Sequence, residues 1–258
     1  MDAGLMATLD LNDVSVVLGA ETVVRSVSAH LEPGKLYVVV GPNGAGKTTL
    51  LKAMASLLRL SGGAIRLNDE DVIAMPPMRR AAHMAYLPQE RSVAWDLPSV
   101  DIAALGCPHL TPELARQKAF SELQALGLQE VSDRGVFGLS GGQRARVLLA
   151  RVLVSSAEIY LLDEPLIALD PAWQRHVLIR LRERAAEGKT VVLSLHDLHL
   201  AAQFADEILL MHRGELVKLA GPEIVFSAKY LSEVFNLKGE LTNVQGQRTL
   251  RLESLPLL

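Results

Sequence analysis

Apolar and polar positions alternate with two different periods along this chain, and the switch between them divides it. Residues 9–18 and 22–31 carry an apolar side chain at roughly every second position, which predicts two half-buried strands. Pro33-Gly34 marks a turn, and 36–40 (Leu36, Tyr37, Val38, Val39, Val40) is a short, wholly apolar run of the kind a parallel sheet buries on both faces. A glycine-rich loop follows, and 48–58 has the spacing of a helix. From 89 to 157 the pattern is mainly helical; 111–126 opens on a capping signal at Thr111, with Glu113 close behind. Strand and helix then alternate: strands at 158–162, 190–195 and 207–212, helices at 171–188 and 198–206. A hairpin about Arg213-Gly214, a helix through 229–237 and a last hairpin turning at Gly246 complete the reading. Alternation of this kind argues for a parallel sheet covered by helices on both faces.

The loop between the first apolar strand and the first helix carries chemistry. Gly41, Pro42, Asn43, Gly44, Ala45, Gly46, Lys47 and Thr48 match G-x-x-x-x-G-K-[ST] in full, and Thr49 continues into the helix. Glycines let backbone N–H groups turn inward around phosphate oxygens, and the helix N-terminus adds its dipole. Lys47 can reach the terminal phosphates, and the Thr48 hydroxyl can ligate Mg²⁺. This loop predicts nucleotide binding, but many kinds of nucleotide hydrolase share it.

A second anion-binding turn narrows the choice. Leu139, Ser140, Gly141, Gly142 and Gln143 stand at the start of a helix, where free N–H groups, a hydroxyl and a dipole converge. Alone it would read as an ordinary helix cap. It is followed by the apolar strand 158–162, which ends in Asp163 and Glu164. Gln89 in Tyr86-Leu87-Pro88-Gln89, Asp170 in Ala168-Leu169-Asp170-Pro171 and His196 in Leu195-His196-Asp197 complete an ordered set. A strand-end carboxylate such as Asp163 can hold Mg²⁺ directly or through water, and Glu164 one residue on can face an attacking water. His196, at another strand end, is within reach of a γ-phosphate.

With this set the chain resembles the ABC ATPase family over nearly its whole length. The resemblance implies an α/β fold: a P-loop NTPase (RecA-like) core with an N-terminal antiparallel β subdomain and an inserted helical subdomain. It implies one domain over 1–258, its core from 1–88 plus 158–258 and its signature subdomain from 89–157. Glu164 becomes the general base, Gln89 joins Thr48 and Asp163 around Mg²⁺, and Leu139–Gln143 acts in trans on ATP held by a second copy. The expected partners are that second copy, integral membrane permease subunits and a periplasmic or extracellular solute-binding protein. The expected place is the cytoplasm, on the inner face of the cell membrane. Local features around 86–89, 100–106, 169–174, 196–206 and 231–237 look most like the group that imports iron-siderophores, haem and cobalamin. A soluble ABC ATPase with a regulatory or repair role is the alternative. The family commonly stacks adenine on an aromatic residue near the end of the first strand. Leu18 stands there, and Tyr37 is the only aromatic residue before the loop, so weak ATP affinity and poor discrimination against GTP are expected.

Composition removes other classes. The net charge of −3, with acids and bases interspersed, offers no basic field for nucleic acid. Cys107 is the only cysteine, which rules out a disulfide within the chain and fits a reducing compartment. Residues 1–13 lack the pattern of a signal peptide, and no apolar run approaches the about 20 residues needed to span a bilayer. Trp95 reads equally as a contact with the channel or as core. Met75, Met78 and Met84 read as packing residues, and Arg180, Arg182 and Arg184, interleaved with Glu183 and Glu187, read as a solvated helix face.

Overall fold

The computed structural model describes residues 7–254. An antiparallel sheet begins with β1 (Leu9–Leu18) and β2 (Glu21–Leu31). The chain then enters β3 (Leu36–Val40) and α1 (Lys47–Met54), and returns to the first sheet through β4 (Gly62–Leu67) and β5 (Glu70–Asp71). Its order is β2-β1-β4-β5. After α2 (Pro77–His83) and β6 (Met84–Leu87) come three helices in succession, α3 (Ser99–Ala104), α4 (Pro112–Ala125) and α5 (Gly141–Leu153). Strand and helix alternate from there: β7 (Ile159–Leu162), α6 (Pro171–Ala186), β8 (Thr190–Ser194), α7 (Leu198–Phe204), β9 (Glu207–His212), β10 (Glu215–Ala220). The last part holds α8 (Pro222–Val225), α9 (Ala228–Phe235) and the hairpin β11 (Leu237–Val244) with β12 (Gln247–Ser254).

The second sheet has six strands in the order β10-β9-β3-β8-β7-β6. All its pairings are parallel except β10 with β9. The alternation along β3 shows why its run is wholly apolar. Leu36, Val38 and Val40 face a core shared with α4, α5, α6, α7 and α9, while Tyr37 and Val39 face a second core shared with α1 and the antiparallel sheet. Both faces are covered, so neither tolerates a polar side chain. The adjacent strands β3, β8 and β7 end together at their carboxyl edge, where open α/β sheets place their ligands. Among the described residues no helix is long and apolar enough to cross a membrane.

Several elements depart from the periodicity. Helix α1 stops at Met54 rather than continuing to Leu58. Ser56 takes a left-handed backbone (φ 53°), and the Leu57 N–H donates back to the Lys52 carbonyl at 2.8 Å, a closure that ends helices whatever their apolar spacing. Strand β4 carries two glycines and gave no periodic signal, yet it pairs with β1 along Leu9–Asn12. Segment 89–157 is less helical than its pattern, since α3 has only six residues and the chain from Pro88 to Pro98 is irregular. Met75 and Met84 are buried as expected, but Met78 is 79% exposed. It lies on α2, which buries none of its residues.

The arginine run of α6 is not a solvated face. Arg184 Nη2 and Arg180 Nη2 donate to the carboxylate of Glu122 on α4, at 2.7 and 3.2 Å, and the Glu122 side chain is 8% exposed. Their Nη1 atoms reach Glu187 and Glu183 respectively. Periodicity within α6 could not show this, because the acid that matters lies on another helix. Glu122→Ala leaves two half-buried guanidiniums facing each other without their shared acid, and breaking such a pair costs about 3 kcal/mol. Urea unfolding should show that loss, with Glu122→Gln milder; a change within about 0.5 kcal/mol would contradict the burial argument.

Candidate functional site

The glycine-rich loop joins β3 to α1 and is shaped by close approach. A Cβ on Gly41 would lie 2.1 Å from the Met211 carbonyl oxygen, and one on Gly46 2.8 Å from that of Val23. Only glycine lets the loop pass between β9 and β2. The turn of the β9–β10 hairpin supports it from below: the Gly214 N–H donates to the Ala45 carbonyl at 3.2 Å, and the Arg25 N–H to that of Gly214 at 2.8 Å. Gly46 caps α1 without a side-chain hydrogen bond, so the first-turn N–H groups remain available to an anion. Lys47 is buried, and its ammonium donates to the Gly41 and Pro42 carbonyls at 2.7 and 3.0 Å. Burial pushes its pKa down, while the charges of Glu164 and Asp163 oppose that shift. A cavity of about 200 Å³ opens over the loop, lined by Val23, residues 43–49, Glu164 and His196.

The acids stand where β7 ends. The Asp163 N–H donates to the Leu87 carbonyl of β6, which carries the strand pairing one step beyond β7. Asp163 is fully buried; its Oδ1 accepts from Thr48 Oγ1 at 3.1 Å and from Ser194 Oγ at 2.8 Å. Its Oδ2 is buried without a partner. A buried carboxylate oxygen left unpaired beside a threonine hydroxyl is the donor set that a hard divalent cation takes, so Asp163 and Thr48 fit Mg²⁺. Glu164 follows in a left-handed conformation (φ 50°) that turns its nearly buried side chain toward His196, and its carboxylate hydrogen-bonds His196 Nε2. The imidazole is half exposed at the cavity rim. The structure does not bring Gln89 to these groups: it is exposed, lines neither the cavity nor any hydrogen bond found among the described residues, and stands two residues beyond Leu87.

Two residues here escaped the sequence pattern. Ser194 ends the apolar strand β8; its hydroxyl donates to Asp163 and accepts from the Glu164 N–H at 2.8 Å, tying both acids to the neighbouring strand. A serine closing the strand after three aliphatic residues was the available signal. Arg91 donates to the Glu164 and Ile167 carbonyls, both at 2.7 Å, and so holds the turn after the acids. Its other side lines an apolar groove of about 280 Å³, with Leu87, Val93, Leu97, Ile102, Leu105 and Leu148. Trp95 stands on the rim of that groove and is 72% exposed, so it is not core.

The second turn lies elsewhere. Ser140 caps α5 in a reciprocal box: the Gln143 N–H donates to Ser140 Oγ at 3.2 Å, and the Ser140 N–H to Gln143 Oε1 at 3.0 Å. Leu139 is buried, Ser140 and Gly141 are exposed, and a Cβ on Gly141 would meet nothing within 4 Å. None of 139–143 lines the phosphate cavity. Asp170 caps α6, accepting from the Trp173 N–H at 3.0 Å. Leu18 ends β1, partly exposed, and is not among the residues that line the phosphate cavity, where Val23 stands.

A family model described as ABC transporter matches residues 24–167 of this chain. The chain belongs to the ABC transporter family. Its enzymatic class is ATP hydrolysis. A hemin import ATP-binding protein of Shewanella denitrificans is 36% identical over 245 residues, covering 92% of this chain and 96% of that protein. One from Thermobifida fusca is 36% identical over 244 residues, covering 91% and 84%. Among solved structures, a chain of an ABC transporter in an inward-facing conformation superposes with a TM-score of 0.80 at 25% identity, over 97% and 98% of the two chains. A dimeric ATP-binding cassette with ADP and phosphate bound shares the fold, with a TM-score of 0.75 at 24% identity over 83% and 98%.

The joint contact of Ser194 with both acids makes it the side chain that sets their spacing. Partners that orient a metal-binding carboxylate typically matter by about 10–100-fold. Ser194→Ala should therefore lower kcat by about that factor and raise the Mg²⁺ concentration needed for half-maximal ATPase, with binding of a fluorescent ATP analogue in EDTA unchanged. An unaltered Mg²⁺ titration would contradict the role.

Proposed function

We propose that this chain is the ATP-hydrolysing subunit of an importer for haem or a chemically similar iron chelate, acting as a pair of copies on a membrane permease. The observation that carries the transport reading is Arg91. One side chain lines the apolar groove under Trp95 and also holds the carbonyls of Glu164 and Ile167. A permease segment seated in the groove would bear on the turn that aims the catalytic carboxylate. Nothing comparable favours a regulatory or repair role. The similarity to hemin import ATP-binding proteins supports haem as the solute, which the permease and a solute-binding protein would select.

In this reading the loop N–H groups, the α1 N-terminus and Lys47 hold the phosphates, and Lys47 exchanges the Gly41 and Pro42 carbonyls for phosphate oxygens. Thr48 and Asp163 would hold Mg²⁺, with Gln89 as a further ligand after a shift of the 88–98 segment; the ion would supply positive charge against the phosphates. Glu164 takes a proton from the attacking water. With its proton on Nε2, His196 donates to Glu164 Oε1 and keeps that carboxylate aimed at the cavity. Ser140 and Gly141, both exposed, and the half-buried Gly142 lie outside this chain's own phosphate cavity and close over ATP held by the second copy. ATP then shifts the population toward the closed pair, and hydrolysis releases it.

Reconstitution with the permease pair in liposomes tests the assignment. ATP should drive hemin uptake, and hemin-loaded binding protein should stimulate hydrolysis. Glu164→Gln should assemble and bind ATP, yet hydrolyse about 10²–10⁴-fold more slowly and move no hemin. Trp95→Ala should hydrolyse ATP but fail to copurify with the permease. Normal turnover by Glu164→Gln would refute the base, and transport of a solute that is neither haem nor an iron chelate would refute the substrate class.

A further inference from the structure

Away from the phosphate cavity, one side chain joins three elements. Arg146, on the second turn of α5, is almost wholly buried. Its Nη1 donates to the Leu126 carbonyl beyond α4 at 2.7 Å, its Nε to the Gly142 carbonyl at 3.4 Å, and its guanidinium carbon sits 3.8 Å from the centre of the Trp173 ring. Trp173 is wedged in turn. It packs where Gly127 has no Cβ, since one built there would lie 2.5 Å from the ring, and it meets His176 edge-on at 5.2 Å. The His176 ring also contacts the Ala125 carbonyl at 2.8 Å. The backbone N–H of Trp173 is the one that Asp170 caps.

Both ends of this contact lead to turns of the ordered motif set, at Ser140–Gly142 and at Asp170. Arg146 grips the carbonyl of Gly142, inside the exposed turn that starts α5. Trp173 belongs to the first turn of α6, which begins at Asp170. The two turns touch directly as well: a Cβ on Gly142 would lie 3.0 Å from the Ala168 carbonyl oxygen, and Ala168 is held left-handed at φ 66°. A planar cation on an indole face, out of water, is a strong and orientation-dependent contact. Lysine offers no plane to stack and no second nitrogen to share between Leu126 and Gly142.

We propose that Arg146 and Trp173 form a brace that locks the Ser140–Gly142 turn to the Asp170 turn, so that one copy presents both to the other's ATP as a single rigid body. They are positioning residues, and the inference rests on the two-copy site described above. Without the brace, the two turns must be ordered at the moment of closure, and that ordering weakens association. Neither residue touches the chain's own phosphate cavity, so ATP binding by the single copy is untouched.

The experiment uses the Glu164→Gln chain, in which ATP persists, and reads its ATP-dependent self-association by analytical ultracentrifugation beside its affinity for a fluorescent ATP analogue. Trp173→Ala and Arg146→Lys should each weaken association by about tenfold at unchanged nucleotide affinity. The double variant should be no worse than the weaker single one, and Trp173→Phe, which keeps a ring face, should recover part of the loss. A purely structural role would produce neither the non-additivity nor the recovery at constant ATP affinity. Should Trp173→Ala fail to fold, Arg146→Lys and Trp173→Phe carry the same comparison. Unchanged association in folded variants, or effects of the two residues that simply add, would overturn the brace. A Glu164→Gln parent that stays single with ATP would instead overturn the two-copy site itself.

Discussion

A fully buried aspartate is costly to keep, and the arrangement around Asp163 shows what the fold supplies to keep it. One carboxylate oxygen accepts from two hydroxyls, those of Thr48 and Ser194, and the other is left without a protein partner. A carboxylate in that position is tolerable only if its donors arrive from fixed directions. Thr48 comes from the helix after β3, Ser194 from the end of β8, and Asp163 itself from the end of β7. The three strands must therefore lie side by side and stop at one edge, as the order β3-β8-β7 provides. The wholly apolar strands, the helices on both faces and the glycines that let the loop pass close to Met211 and Val23 all serve that convergence. The unpartnered oxygen, beside the Thr48 hydroxyl, is what fits the site to a divalent cation.

The same geometry separates two anion-binding features. The phosphate cavity is built from loop, strand ends and acids, and the second anion-binding turn stands at the start of α5, outside that cavity, which is the ground for the proposed pairing of two copies. Between them lies a mechanical chain of ordinary contacts. Arg91 connects an exposed groove to the turn after Glu164, Arg146 and Trp173 connect the α5 turn to α6, and Glu122 fastens α4 to Arg180 and Arg184. Helices α4 and α5 are thereby tied to α6 by charge-assisted contacts, which keep direction better than apolar packing.

What could be read from the residues was what is local. The phosphate loop, Asp163, Glu164 and His196 each follow a short apolar strand, and strand, loop and side chain sit within a few positions of one another. Ser194 and Arg91 could not be read in the same way, because their significance lies in partners on other elements: a serine at a strand end is unremarked until Asp163 and Glu164 are seen beside it. Arg180 and Arg184 were misread for the same reason, their acid being on α4. Met78 shows the converse, a large apolar residue on a helix that has nothing to pack against. The end of α1 failed differently, since Ser56 overrides a run whose apolar spacing continues. Gln89 was singled out by its motif, and the structure leaves it exposed and away from Asp163 and Thr48.

The account stands or falls on whether one chain's Ser140–Gly142 turn serves another chain's phosphate cavity. Lys47→Ala removes the ammonium from the cavity and spares the turn. Gly141→Asp puts a negative charge on the turn, where the space is open, and spares the cavity. Each variant alone should have almost no ATPase activity. Mixed as proven heterodimers, they should recover activity well above either parent, because one of the two sites then pairs an intact cavity with an intact turn. A mixture no more active than its parents would contradict the two-copy site.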